Sequence, residues 1–281
     1  MTVVDTTREF LERIRGYGSL AVALSGGVDS ATLAKAAALA LKERAVAVTA
    51  VSELLAAEER EAARVLAKAV GICHVELEAH DLDDPRLAAN DEERCYYCKR
   101  GRFSKLAAWA EQAGFRYVAE GSNTDDRQDY RPGMRALSEL APRIVSPFLA
   151  AGWDKARIRQ QAKEWSLSVW DKPSAACLAS RVAYGLALTP ARLAAVETAE
   201  NAVRSFATGQ LRVRCHGALA RIEAESAAFS ELLAHREEIV RRLRAAGFTY
   251  VTIDLAGYRM GSTNEALEAR GASPEEDNGI R

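Results

Sequence analysis

Hydrophobic positions change period in a regular order along the chain. Apolar residues at helical spacing, Phe10, Leu11 and Ile14, lead into LAVAL at 20–24, whose short apolar run predicts a buried strand. A tight polar cluster, Ser25-Gly26-Gly27-Val28-Asp29-Ser30, then separates that strand from the alanine-rich helical stretch ATLAKAAALALKE. The alternation continues with AVAVTAVS as strand, AEEREAARVLAKAV as helix, CHVELEA as strand, KRGRFSKLAAWAEQAG as helix and YVAEGSN as strand. RIVSPF and SLSVW extend it as further strands around the helix DKARIRQQAKEW. Strand and helix in strict alternation predict an α/β fold, a parallel sheet with helices on both faces.

The aperiodic stretch DKPSAACLASRVAYG breaks this pattern and places a domain junction near residue 187. Beyond Leu188 come a helix (PARLAAVETAENAVRSF), two strands around His216-Gly217 (LRVRC and LARIEAE), a helix (FSELLAHREEIVRRLRAAG) and a strand (YVTIDL). These predict a small α+β domain over 188–271, and 272–281, lacking apolar period, reads as a disordered tail.

Composition narrows the functional classes. A length of 281 residues against about 150 per domain, with 48% hydrophobic content, suits two folded domains. The 38 Lys and Arg against 39 Asp and Glu leave a net charge of −1, with no overall field to hold a polyanion, so nucleic acid is a disfavoured partner. No segment approaches the roughly 18 to 20 apolar residues of a membrane span, and the N-terminus, MTVVDTTREFLERIRG, has no uninterrupted apolar run, so a cytoplasmic location is expected. Five cysteines in a chain of this length do not make a disulfide framework.

The polar cluster carries the first candidate chemistry. Ser25, Gly26, Gly27, Asp29 and Ser30 follow the carboxyl end of the first strand and open a helix, where open α/β sheets bind ligands. Glycines there let backbone N–H groups approach phosphate oxygens, the two hydroxyls add donors, and the helix dipole favours an anion. Asp29 suits either Mg²⁺ or orientation of the loop. The string lacks the lysine of the kinase-type phosphate loop and the dinucleotide spacing. It resembles the SGGxDS loop of the ATP pyrophosphatase (PP-loop) superfamily, which implies adenylylation of an acid or amide oxygen rather than phosphorylation. That resemblance also implies nucleotide contacts from Ala50 to Ser52 and from Gly121, Ser122 and Asn123.

Cys95-Tyr96-Tyr97-Cys98 opens a helix rich in Lys99, Arg100, Arg102 and Lys105, and Cys177 lies in PSAACLASR. Two cysteines at this spacing are a metal half-site or two incidental thiols. The four histidines offer no partner pair that would complete a closed zinc site, whereas three thiolates with an open position fit an iron-sulfur cluster. Cys73 and Cys215 fall on predicted strands and read as core or near-core residues. Tyr96 and Tyr97 are candidates for stacking on a substrate ring.

SGGVDS, CYYCK, EGSNTDD, DYRPG, PSAACLASR, RVRCHGALARIE and GYRMGSTNE occur in order over nearly the whole chain. Together they resemble the LarE family, the ATP-dependent sulfur transferases that build the nickel-pincer cofactor of lactate racemase. The resemblance implies that ATP adenylylates a carboxylate of pyridinium-3,5-biscarboxylic acid mononucleotide and that sulfur then displaces AMP, giving a thiocarboxylate. It implies a 4Fe-4S cluster on Cys95, Cys98 and Cys177 whose open iron carries a sulfide from an unidentified donor. The other family mode is sacrifice of the Cys177 sulfur, leaving dehydroalanine. Homo-oligomers are implied as well.

A substrate bearing carboxylates and a phosphate needs a basic pocket, for which Lys99, Arg181, Arg214 and Arg221 are the candidates. Arg214 and Arg221 lie on predicted strands, where a surface role is the plain alternative. Glu223 is a candidate Mg²⁺ ligand beside Asp29, and it and Glu200 suit either a metal or an arginine. Other PP-loop thiolation or amidation enzymes compete with the LarE reading. The neutral charge speaks against a tRNA enzyme, and a missing fourth cysteine against a zinc-containing nitrile synthase. A nucleotide sensor without chemistry is the alternative from another class.

Overall fold

The computed structural model describes residues 3–128, 132–173 and 176–265. It divides into two compact units, Met1–Leu87 with Glu93–Ala176, and Ala88–Glu92 with Cys177–Arg281.

The first unit runs α1 (Val3–Gly16), β1 (Leu20–Ala23), α2 (Val28–Leu41), β2 (Ala45–Val51), α3 (Ala57–Val70) and β3 (Cys73–Glu78). It continues through α4 (Pro85–Ala88), at the edge of the unit, α5 (Arg94–Gln112), β4 (Tyr117–Ala119), α6 (Pro132–Glu139), β5 (Ile144–Val145), α7 (Pro147–Ala151) and α8 (Lys155–Glu164). The five strands form one parallel sheet in the order β3-β2-β1-β4-β5, with Leu20 of β1 level with Ala45 on one side and Tyr117 on the other. This is the expected α/β architecture.

Both faces of the sheet are dry because β1 sends alternate side chains into two cores. Leu20 and Val22 join Phe10, Ile14 and the alanines of α2, while Ala21 joins Val46, Val48, Phe103 and Leu106 on the face covered by α5. Small side chains at Ala31, Ala34, Ala36 and Ala37 are fully buried and let α2 pack at once against α1, α3 and α8. Phe10 stacks on Phe148 and Trp153, with centroids 5.1 and 4.3 Å away, which joins α1 to the segment after β5. Strand order reverses at β1, between β2 and β4, and that switch point opens a crevice at the carboxyl ends of β1 and β4.

The second unit contains α9 (Pro190–Arg204), β6 (Leu211–His216), β7 (Leu219–Ala224), α10 (Phe229–Ala234), α11 (Arg236–Ala245) and β8 (Tyr250–Ile253). β6 and β7 form an antiparallel hairpin that turns at His216-Gly217, where Gly217 takes a φ of +70°, and β8 adds parallel to β7. Leu193, Val196, Ala199 and Val203 on one stripe of α9, together with Leu211, Val213 and Ile222, are buried to 1% exposure or less.

Four details differ from the pattern read along the sequence. SLSVW is a pair of turns rather than a strand, because Ser166 has a φ of +54°, the Trp170 amide folds back on the Leu167 carbonyl at 3.1 Å, and Arg159 takes the Trp170 carbonyl at 2.8 Å. The helix predicted after β7 breaks into two at His235. Cys73 is exposed, because β3 is an edge strand of the sheet. The division between units falls at 176/177 rather than 187/188. Its cause is that Asn90 donates to the Ala183 and Leu186 carbonyls, both at 3.0 Å, and the Leu188 amide donates to the Ala88 carbonyl at 2.7 Å. The tail expected at 272–281 lies outside the described residues. Among the described residues no helix is long and apolar enough to cross a membrane.

Candidate functional site

The SGGVDS loop sits where the strand order predicts a ligand crevice. Leu24 continues the sheet by donating to the Val48 carbonyl at 2.9 Å, and the chain then turns through Gly26, whose φ of +79° an L side chain rarely adopts. Gly27 caps α2 in an extended conformation. Ser30, in the first turn of α2, ties the loop together, since its Oγ accepts from the Ser25 amide at 3.2 Å and donates to the Gly27 carbonyl at 3.1 Å. The first amides of α2 therefore point out of the helix end, with Asp29 among them.

Ser25, Asp29 and Ser30 line a cavity of about 350 Å³, shared with Thr49 and Ala50 from β2 and Gly121 just after β4. Gly121 is needed for close approach, as a Cβ there would stand 3.0 Å from the Asp29 Cβ and 3.3 Å from the Ser30 nitrogen. Of the other expected nucleotide contacts, Ser52 accepts a hydrogen bond from Arg102 at 2.8 Å beside the cavity. Asn123 shapes the loop after β4, its amide bonded to Asp126 at 2.9 Å and its side chain accepting from the Asp125 amide at 3.1 Å.

The opposite wall comes from α5. Cys98, Lys99, Arg102, Phe103 and Leu106 face the cavity together because they recur at helical spacing. Arg102 donates through Nε to the buried Asp81 at 2.8 Å, an ion pair that anchors the helix to the turn after β3. Tyr96 and Tyr97 lie against neighbouring arginines of this unit. Arg135 sits 4.1 Å over the Tyr96 ring and Arg86 4.8 Å over Tyr97, while the Tyr96 hydroxyl donates to Glu139 at 2.8 Å. These contacts brace the start of α5, each guanidinium covering one face of its ring.

None of the five cysteines is in a disulfide; Cys95 and Cys177 are exposed, and Cys98 is half-buried at the cavity wall. Cys95 and Cys98 stand one helical turn apart, on one side of α5. All-sulfur donors at these positions suit an iron-sulfur cluster in their chemistry. Among the described residues no three His, Cys, Asp or Glu side chains are gathered into a metal group. Mg²⁺ has a fitting donor in Asp29, whose Oδ1 is buried and accepts no hydrogen bond among the described residues. Cys215 is buried, and that burial pushes its thiol up, as expected of an inert core residue.

In the second unit the candidate arginines are held by two buried glutamates. Arg181 bonds Glu200 through Nε and Nη2, both at 3.2 Å, and its Nη1 donates to the Cys177 carbonyl at 2.9 Å. Burial disfavours the ionised Glu200 carboxyl, but the charge of Arg181, hydrogen bonds from Arg181 and Arg204 and the charge of Arg212 outweigh it and hold the group below its ordinary range. Glu223, with no exposed surface, accepts from Arg214 at 2.9 Å, Arg221 at 2.7 Å and the Ser262 hydroxyl at 2.7 Å. Its oxygens are thus engaged by arginines, the second of the two roles open to it. Burial, then the charge of Arg221, lowers the His216 pKa, keeping the imidazole neutral near pH 7.

Two lysines of the loop's surroundings escape a sequence reading. Lys155, at the start of α8, forms an ion pair with Asp29 Oδ2, and Lys172 donates to the Gly26 carbonyl at 3.4 Å and to Glu59 at 3.1 Å. Glu120, buried beside Gly121 and accepting from the Ser122 hydroxyl at 2.6 Å, is a third such residue.

With this geometry in view, the chain proves similar to proteins of three organisms. The asparagine synthase family matches residues 7–89, the region of α1 to α4 that holds the loop. An uncharacterized protein of Synechocystis sp. is 40% identical over 248 residues, covering 88% of this chain and 92% of that protein. The pyridinium-3,5-bisthiocarboxylic acid mononucleotide synthase of Lactiplantibacillus plantarum is 36% identical over 267 residues, covering 95% of this chain and 96% of that enzyme. An uncharacterized protein of Methanocaldococcus jannaschii is 33% identical over 174 residues, 62% of this chain and 67% of that protein.

Proposed function

The chain belongs to the LarE family of ATP-dependent sulfur transferases, and from that premise we propose that it converts the carboxylates of pyridinium-3,5-biscarboxylic acid mononucleotide to thiocarboxylates in two steps. The observation that carries this reading is one cavity lined by both the PP-loop residues Ser25, Asp29 and Ser30 and the cysteine-bearing helix face of Cys98 and Lys99.

In the first step a substrate carboxylate oxygen attacks the α-phosphorus of ATP, the α–β anhydride bond breaks and pyrophosphate leaves. The residues of this chain orient and neutralise: outward amides of α2 and the Ser25 and Ser30 hydroxyls face the phosphates, and Lys99 supplies positive charge on the far wall. Asp29 is the residue that would hold Mg²⁺, which would offset the charge on the departing pyrophosphate. In the second step a sulfur nucleophile adds to the acyl carbon and AMP leaves, giving the thiocarboxylate. Bound to Cys95, Cys98 and Cys177, a 4Fe-4S cluster would supply an open iron for the incoming sulfide. Arg181, Arg214 and Arg221 are the candidates to meet the phosphate and carboxylates of the substrate, in exchange for part of their pairing with Glu200 and Glu223.

A second reading is sacrifice of the Cys177 sulfur, favoured by the exposure of that thiol. Iron and acid-labile sulfide, measured on protein purified without oxygen, separate the two. The cluster reading expects about four irons per chain, lost in Cys98→Ala. Iron-free protein after reconstitution, with Cys177 converted to dehydroalanine after turnover, would establish the second. Pyrophosphate release that requires the pyridinium dicarboxylate tests the first step, and no release with any candidate acid would favour a nucleotide sensor.

A further inference from the structure

One contact to the nucleotide loop comes from outside the residues that line the cavity. Lys172 sends its ammonium to the Gly26 carbonyl, 3.4 Å away, and shares it with Glu59 Oε2 of α3 at 3.1 Å. Its own backbone is fixed, because its amide donates to the Val169 carbonyl at 3.1 Å and its carbonyl accepts from Arg159 of α8 at 3.0 Å. The same guanidinium takes the Trp170 carbonyl at 2.8 Å, so the turns after α8 form a firm base for the lysine.

We propose that Lys172 is a positioning residue for triphosphate binding, which holds the Gly26–Gly27 peptide with its carbonyl turned outward and its N–H turned toward the phosphates. In a trans peptide the carbonyl oxygen and the next N–H point to opposite sides of the chain. Fixing the Gly26 oxygen on Lys172 therefore sets the direction of the Gly27 N–H. A Gly-Gly peptide needs such a constraint more than any other, as neither residue has a Cβ to restrict rotation. Gly26 already sits at a φ of +79°, and a peptide rotated the other way would present a carbonyl oxygen to the anion in place of a donor.

Glu59 explains why a lysine in this place acts through the backbone rather than through its charge. The carboxylate neutralises the ammonium at 3.1 Å, and neither side chain lines the cavity, so Lys172 contributes a hydrogen bond to Gly26 and little net field. Glu59 also limits the loop directly, since a Cβ on Gly26 would stand 3.4 Å from its Oε2.

The inference rests on the reading of the loop as an ATP site, and the test separates the two. Dissociation constants of ATP and of adenosine are measured by calorimetry on the full chain, in wild type, Lys172→Met, Lys172→Arg and Glu59→Gln. The expected result is ATP binding about tenfold weaker in Lys172→Met with adenosine unchanged, and recovery in Lys172→Arg, which keeps a donor. Glu59→Gln, which leaves Lys172 on Gly26 and removes a negative charge beside the loop, is expected to bind ATP at least as tightly as wild type. Equal weakening of ATP and adenosine in Lys172→Met would mean a purely structural lysine, and unchanged ATP binding, or weaker binding in Glu59→Gln, would overturn the inference as well. Wild-type protein that binds adenosine but not ATP would overturn the reading of the loop itself, and this inference with it.

Discussion

Lys155 and Asp29 form an ion pair across the mouth of the nucleotide loop, with both side chains about three-quarters buried, while the other carboxylate oxygen of Asp29 is buried and accepts no hydrogen bond among the described residues. The loop thus keeps one oxygen of its acid neutralised and the other without a hydrogen bond among the described residues. Removing the cation leaves the carboxylate facing an incoming triphosphate with its charge uncompensated. Lys155→Met should therefore slow pyrophosphate release on the order of tenfold, and Lys155→Arg should restore most of it, in a coupled pyrophosphate assay.

Gly121 faces atoms that cannot move aside, the Asp29 Cβ and the Ser30 backbone nitrogen. An added methyl group would push the end of β4 away from the start of α2 and spoil the register between the two walls of the crevice. Gly121→Ala is expected to weaken ATP binding more than tenfold while costing about 1 to 3 kcal/mol of stability, read by calorimetry and by thermal melting.

Cys95 is exposed at the start of α5 and makes no part of the cavity wall that faces the loop. Cys95→Ala should leave substrate-dependent pyrophosphate release intact and abolish repeated thiocarboxylate formation. Multiple turnovers in this variant would rule out the three-cysteine relay.

Glu200 gives the second unit a defined dependence on pH. Its folded pKa lies below the ordinary 4.5, so its contribution to stability is complete above that value and is lost as pH falls through the lower, folded value. Glu200→Gln should destabilise the protein by on the order of 3 kcal/mol at pH 7, because Arg181 and Arg212 remain buried without it. The gap between wild type and variant should close below pH 4.5, in denaturant unfolding followed across pH.

Much of the site was legible because it is local. The loop is six consecutive residues, and the alternating strands and helices around it place it at the end of β1 without further information. Lys155 and Lys172 were not legible, since their partners lie 126 and 146 positions away in the chain and an ion pair at such separation leaves no mark on either segment. SLSVW has the composition of a strand, and only the left-handed Ser166 and the capture of carbonyls by Arg159 make it a turn. Cys73 shows a related limit, since a strand is visible in local period but edge position is a property of the whole sheet. Arg181, Arg214 and Arg221 are legible by type, whereas the pairing of Arg181 with Glu200 depends on how α9 packs on the turn at 178–181, and that of Arg214 and Arg221 with Glu223 on the register of β6 against β7.

The most direct test of catalytic sulfur transfer is the number of thiocarboxylate groups formed per chain, counted by mass spectrometry in an oxygen-free reaction with excess ATP, Mg²⁺, sulfide and pyridinium-3,5-biscarboxylic acid mononucleotide. The expected result is many per chain, each with one pyrophosphate, and Cys177 intact at the end. One group per chain with dehydroalanine at position 177 would contradict the relay, and none, with ATP bound and pyrophosphate absent, would contradict sulfur transfer to this acid altogether.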